Sequence, residues 1–385
     1  MTQRTRAWAI LHLVVVAGFL AGVASYHQPG VGLTAFLTIP ASDPGSPYEL
    51  AAVQNAPHFV EPVGGGYDGQ FYARLALEPL LRNPAIDATL DLAPYRARRI
   101  LMSWTAYAIG LGRPAWVLEV FAVQNVVVWL VFAWLLLRWF PVGSSRSFVL
   151  WCGCLLTQGM LGSVRYALLD APSALLLAAA VVATERARPW IAAVILGLAG
   201  LARETSLLGT TLFLRFLNRS PVSWLRVGAL GLVSAIPLLI WMDYLRSIYR
   251  TAAWASGGNL ATPLAGLIWK ARASISQVAT SGWHPATISS LLVLVAFVTQ
   301  VSYVVRLAIL RRTEESAWLP IALAYSVLGL LAHQVVWEGS PGAIARVVLP
   351  LAIGFNVLAR RAPWPVVALG NLGVVAGIES FVFRV

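Results

Sequence analysis

Asp68 stands in the run Gly64-Gly65-Gly66-Tyr67-Asp68-Gly69-Gln70-Phe71-Tyr72, a polar, glycine-rich stretch between apolar ones. A carboxylate in that setting has two uses. It can close an Asx-turn, because Asp-Gly is a common turn dipeptide and consecutive glycines open left-handed backbone to the chain. Or it can act as a general base held near water and lipid headgroups, with flanking Tyr67, Phe71 and Tyr72 shaping a pocket or gripping the interface. Both uses fit the residues.

Other polar residues interrupt apolar runs in the same manner. Asp170 precedes Ala171-Pro172-Ser173; as an acidic residue at a helix start it is a good N-cap, and this structural use is favoured over a second role in orienting an acceptor. Arg203 and Glu204 are adjacent opposite charges that either satisfy one another or leave the arginine to grip phosphate with its fork of donors. Glu338 opens a Gly-Ser-Pro-Gly loop that leads to Arg346, where the same choice arises. Ionisable groups next to lipid are costly unless they pair, face a cavity or work. His27, His58, His284 and His333 are scattered with no metal-ligand spacing, and no zinc pattern, Walker loop, nucleophile elbow or dinucleotide fingerprint is present. Cys152 and Cys154, two apart on a presumed helix, point in different directions and are not expected to pair.

The elements that position these groups follow from composition. Of 385 residues, 58% are hydrophobic and only 11% charged, and the mean hydropathy is +0.73. A soluble domain carries about 25% charged residues, so the chain is expected to be an all-α, polytopic transmembrane bundle forming one domain over residues 1–385. A net charge of +12 then reads as cytoplasmic-loop arginine and phosphate contacts, with no nucleic acid as partner. Apolar runs at 8–25, 115–137, 148–162, 171–183, 190–201, 206–216, 227–241, 288–310, 318–336, 344–358 and 364–382 give about ten to eleven spans, several of them shorter than the ~20 residues a straight crossing takes. The basic start followed by the run 8–25 reads as a retained first helix with a cytoplasmic N-terminus, not a cleaved signal.

Starting with Arg4 and Arg6 inside, alternation puts the Arg138/Arg146, Arg186/Arg188, Arg219/Arg226, Arg311/Arg312 and Arg360/Arg361 loops all on the cytoplasmic side, as the positive-inside rule asks. The register holds only if the stretch 98–112 does not cross. It is therefore expected as an interfacial helix with Arg96, Arg98 and Arg99 among headgroups. Two long segments fall outside, 26–112 with the Asp68 motif and 243–285 with an amphipathic helix near 264–278. Asp68, Glu78, Arg165 with Asp170, Arg203 with Glu204, Asp243, and Glu338 with Arg346 then gather on the non-cytoplasmic face.

A first span, a long external loop with an early aspartate beside aromatics, an interfacial helix and a bundle together resemble the GT-C superfamily of integral-membrane glycosyltransferases. Tyr67-Asp68-Gly69-Gln70-Phe71-Tyr72 is similar to the Trp-Asp-x-x-x-Tyr type of motif in the PIG-V-like mannosyltransferases and their bacterial relatives. Ala202-Arg203-Glu204-Thr205 and Arg346-Val347-Val348-Leu349-Pro350 look like elements that recur in bacterial members. The resemblance implies a hexosyl- or mannosyltransferase in a bacterial inner membrane, with a polyprenyl-phosphate-linked sugar as donor and a lipid, glycan or protein hydroxyl as acceptor. It assigns catalysis to Asp68. On that reading Asp170 assists, Arg203 and Arg346 bind the donor phosphate, and Tyr67, Gln70, Tyr72, Glu204 and Glu338 line the pocket. The loop departs from the family pattern in having Tyr67 for Trp and no Asp-x-Asp pair, which leaves a divalent metal without support. The competing class is a transporter or flippase for a lipid-linked or anionic solute, where broken helices and intramembrane charges also occur, but with internal repeats; no repeat is evident.

Overall fold

A computed structural model describes residues 3–42, 49–62, 64–250, 258–310 and 316–382. Arg311 and Arg312, expected in a cytoplasmic loop, lie outside the described residues.

The chain begins with α1 (Gln3–Ala24), an apolar helix with Leu13 and Val14 on its exposed surface. Phe19 of this helix stacks on Trp129 at 3.8 Å, and Tyr26 beyond it donates to the Phe381 carbonyl, tying the N-terminal helix to the C-terminal one. The segment that follows is pinned at both ends by a two-residue parallel pair, Ile39–Pro40 with Val60–Glu61. It leads to α2 (Gly69–Leu77), α3 (Ala93–Ala97) and α4 (Leu101–Ile109), and then to the long α5 (Pro114–Leu136).

The middle of the chain is a run of shorter helices: α6 (Ser145–Leu155), α7 (Gln158–Arg165), α8 (Asp170–Glu185) and α9 (Pro189–Ala202). A 3₁₀ helix over Glu204–Phe216 follows. The 29-residue α10 (Pro221–Tyr249) carries Val222, Leu225 and Ile240 outward. The last third contains α11 (Ala265–Ser281), α12 (Pro285–Ile309), α13 (Trp318–Leu330), the single turn α14 (Ile344–Val347), α15 (Leu349–Leu358), α16 (Trp364–Gly370) and α17 (Gly373–Val382).

Among the described residues, five helical stretches are long and apolar enough to cross a membrane: Thr5–Ala24, Pro114–Leu136, Pro221–Tyr249, Pro285–Ile309 and, taking α16 and α17 together, Trp364–Val382. A sixth is added if α6 and α7, bent by 46° at their junction, count as one span. The architecture is thus helical and compatible with a multi-pass membrane protein, but its full-length crossings are fewer than the ten to eleven read from hydropathy. The difference has a physical cause. Apolar runs at 171–183 and 190–201 become helices of 16 and 14 residues. At ~1.5 Å per residue they fall short of a hydrocarbon core ~30 Å thick. The run 318–336 breaks after Leu330 and resumes only as a single turn at Gln334–Trp337, and 344–358 breaks at Val348. The 3₁₀ segment recovers length differently. Its rise of ~2.0 Å per residue stretches 13 residues to about 26 Å, and Ser206, Gly209 and Leu212, three apart, are all buried along its inner edge.

Two further expectations change. In the stretch 98–112, expected as an interfacial helix, the arginines are not all free for headgroups. The stretch contains the nine-residue α4, packed on α2 and α5, and both Arg96 and Arg99 are buried just before it. In the segment 243–285, α10 runs on to Tyr249, and residues 251–257 lie outside the described residues. A helix, α11, covers the stretch expected to be helical at 264–278, though its buried residues are Gly266, Lys270 and Ser274, and Ile268 and Ile275 are exposed.

Glycine is required where α2 begins. A side-chain carbon on Gly69 would run into the Tyr166 carbonyl, and one on Gly66, at φ +75, would meet the Thr38 carbonyl. Gly69→Ala must push the Asp68 loop off α7, so it is expected to destabilise the protein by about 1–3 kcal/mol, as overpacked sites do; a lowered thermal midpoint in detergent is the check.

Candidate functional site

Asp68 has helical backbone angles (φ −52°, ψ −30°) immediately before α2, yet its side chain caps nothing. The turn use of this carboxylate is therefore not the one the fold adopts. Instead Oδ1 accepts a 2.8 Å hydrogen bond from Arg96 Nη2, and Oδ2 lies 3.6 Å from Arg346 Nη1. Arg96 is held in turn by Asp91, through Nε at 2.9 Å and Nη2 at 2.6 Å. Burial pushes the Asp68 carboxyl up, but the guanidinium groups of Arg96, Arg346 and Arg99 outweigh it, and the group ends below the ordinary carboxylate range.

Asp170 is the first residue of α8, and it too caps nothing. Its carboxylate pairs with Arg203, with Arg346 Nη1 3.9 Å from its other oxygen. Arg165, expected as its partner, points away and sits over the Tyr26 and Tyr166 rings. Arg203 and Glu204 do not satisfy each other either. At Arg203 the backbone leaves the helix for an extended conformation (φ −159°, ψ 123°). Successive side chains on extended backbone point to opposite sides. Arg203 therefore reaches Asp170, while Glu204 accepts two 2.8 Å bonds from Arg99.

These pairs surround one cavity of about 530 Å³. Its charged lining comprises five arginines, at positions 96, 98, 99, 203 and 346, against the three carboxylates Asp68, Asp170 and Glu204. Two donors in this lining remain unused: the Nε atoms of Arg203 and Arg346 are buried and have no hydrogen-bond partner. The aliphatic part of the lining comprises Leu260, Leu328, Ala332, Val335 and Val347. Leu260 is 62% and Val335 54% exposed. All but Val347 of these aliphatic residues come from two distant pieces of chain bonded to each other. Ala261 N–H donates to Leu331 O at 2.8 Å, Leu264 N–H to Leu330 O at 2.7 Å, and His333 N–H to Asn259 O at 2.8 Å. Residues 258–264 are thereby strapped onto the broken end of α13.

Of the residues expected to form a site, Asp68, Tyr72, Asp170, Arg203, Glu204 and Arg346 share this cavity. Three others do not line it. Gln70 is buried and bridges Arg74 to the Gly65 carbonyl, a brace for the loop. Tyr67 stacks on Tyr166 at 4.4 Å, with the Arg346 guanidinium 5.2 Å over its ring, so it steers Arg346 from outside. Glu338 is exposed, and the expected Glu338–Arg346 pair is not formed; Arg346 faces the two aspartates. Sequence reasoning missed Arg96, Arg99, Tyr95 and Asn259. Arg96 and Arg99 are three apart, a spacing that puts both on one helix face, but their place beside an apolar stretch suggested headgroups.

The donor set does not fit a divalent metal. Among the described residues no three His, Cys, Asp or Glu side chains gather, and each cavity carboxylate is already paired with arginine.

The two aspartates are expected to respond differently to neutralisation. Asp170 is 3% exposed and counters a buried arginine, so Asp170→Asn strands a charge and costs about 3–5 kcal/mol. Asp68 is 34% exposed and Arg96 keeps Asp91, so Asp68→Asn costs less than about 1 kcal/mol. Thermal unfolding of the two variants side by side checks the contrast. No family model, curated protein or solved structure matches the chain.

Proposed function

We propose that the chain is a membrane glycosyltransferase that moves a sugar from a polyprenyl-phosphate donor to an acceptor hydroxyl, with inversion, on the non-cytoplasmic face of a bacterial inner membrane. One observation carries the reading: a single cavity joins an arginine wall with unused donors to an aliphatic wall with exposed Leu260 and Val335. That combination is complementary to an anionic group on an isoprenoid chain. The phosphate lies against Arg203 and Arg346, and the first prenyl units lie along the aliphatic wall.

In the reaction the acceptor oxygen attacks the anomeric carbon on the face opposite the phosphate. The bond from that carbon to the phosphate oxygen breaks, and its electron pair leaves with the phosphate, where the positioned arginines stabilise the new charge. The acceptor hydroxyl proton passes to Asp68, the most exposed of the three cavity carboxylates. A carboxylate held between Arg96 and Arg346 is a weak base. It takes the proton late, when bond formation has made that proton acidic, and then returns it to water. Asp170, buried beneath Arg203 and Arg346, positions both arginines and does not touch the acceptor.

Asp68→Asn should insert and fold normally yet lose transfer by roughly 100-fold, the lower part of the range for general bases. Proteoliposomes supplied with radiolabelled polyprenyl-phosphate sugars and a membrane-lipid extract provide the assay, and wild-type turnover by this variant would remove Asp68 from the mechanism. A transporter would move the labelled lipid between leaflets without forming a new glycoside.

The pH dependence follows from the depressed Asp68 pKa. Its charge, and the ion pairs with Arg96 and Arg346, persist above the unfolded carboxylate value of ~3.9 and are lost only as pH falls through the lower folded value. The acid limb of kcat/KM from Asp68 should therefore lie below about pH 4. A limb near pH 6 that vanishes in Asp68→Asn would contradict the assignment.

A further inference from the structure

The phenol of Tyr72 is the cavity group whose hydrogen-bonding capacity is most tightly specified. It lies on α2, one turn beyond Asp68, and its buried side chain is among those that line the cavity. The oxygen accepts from Arg99 Nη1 at 3.0 Å and, at longer range, from Arg96 Nη1 at 3.4 Å. A guanidinium can only donate, and a phenol offers two acceptor lone pairs and one hydrogen. With both lone pairs facing arginine, the hydrogen has no acceptor among the described residues. Tyr95 is less constrained. Arg99 Nη2 donates to it at 2.7 Å, but its second neighbour is the Asn259 amide at 3.3 Å, which can present either end.

The arginines that fix Tyr72 are themselves fixed. Arg96 is anchored by Asp91 and Asp68, and Arg99 by Glu204. Rotation of the hydroxyl to serve as an acceptor for a substrate hydroxyl would leave a buried guanidinium N–H without its partner, which is costly. The phenol is in effect locked as a donor.

We propose that Tyr72 is a specificity-determining residue that donates its hydroxyl hydrogen to an acceptor-only oxygen of the donor headgroup, a non-bridging phosphate oxygen. It selects a lipid phosphate over the corresponding lipid alcohol. The inference rests on the lipid-phosphate reading of the cavity and adds to it a neutral donor supplementing the Arg203–Arg346 pair. No proton is transferred in this role; the phenol keeps its hydrogen through binding and release.

The test uses the full chain in detergent and three probes: farnesyl monophosphate, farnesol and inorganic phosphate. Tyr72→Phe should weaken farnesyl monophosphate binding by about 10- to 100-fold, the range for a hydrogen bond to a charged group, and leave farnesol binding unchanged. Inorganic phosphate should bind more weakly than farnesyl monophosphate and lose affinity in the same variant. A second substitution separates donation from scaffolding. 3-Fluorotyrosine at position 72 is a stronger donor and a poorer acceptor for Arg96 and Arg99. Tighter farnesyl monophosphate binding supports the proposal, and this variant decides the matter if Tyr72→Phe does not fold. Unchanged or weaker binding overturns it, because a purely structural phenol gives that result. Equal affinity of wild type and Tyr72→Phe also overturns the Tyr72 role while leaving the lipid-phosphate site standing; failure of the wild type to bind farnesyl monophosphate overturns both.

Discussion

Desolvated guanidinium groups set the terms for this structure. Arg96, Arg99, Arg203 and Arg346 converge on one cavity, each with a side chain largely withdrawn from solvent. Charges so placed are tolerated only with counter-charges close by. Asp91 and Asp68 hold Arg96, Glu204 holds Arg99, and Asp170 holds Arg203. Arg346 is the exception: it stands between Asp68 and Asp170 at 3.6 and 3.9 Å, shared by both and closely bonded to neither.

Much of the surrounding fold serves to hold these charges in register. Glycine at positions 66 and 69 lets the Asp68 loop press against Thr38 and Tyr166. Gly159 of α7 likewise allows the backbone at Ala345–Arg346 to approach closely. The extended residue between α9 and the 3₁₀ segment sends Arg203 and Glu204 to opposite sides, so two adjacent residues serve two different pairs. The strap at 258–264 closes the aliphatic side and touches the polar side through Asn259 and Tyr95.

The sequence made the membrane class legible because apolar composition is a bulk property. The long helices at 114–136, 221–249 and 285–309 fall within or overlap the apolar runs expected to cross. What hydropathy lacked was length in three dimensions, since it counts apolar residues and does not see where Leu330 or Val348 ends a helix. Within the site, Asp68, Asp170, Arg203 and Arg346 stood out because each lies in or beside a short polar break between apolar runs. Their pairings were not legible. Arg203 beside Glu204, and Glu338 near Arg346, suggested local ion pairs, whereas the observed partners lie tens of residues away. Arg96 and Arg99 had a membrane-anchor explanation that their burial removes.

The 3₁₀ helix at Glu204–Phe216 links the two ends of the design. With three residues per turn, side chains at i and i+3 eclipse, so Ser206, Gly209 and Leu212 form a straight inner seam below Glu204. An α-helical stripe drifts around its axis and tolerates small shifts of register; an eclipsed seam has no such slack. One inserted or deleted residue rotates everything beyond it by about 120°, turning the seam out of the core. Length variation in this segment is therefore quantised: changes in multiples of three preserve the inner edge beneath the arginine wall, and all others destroy it.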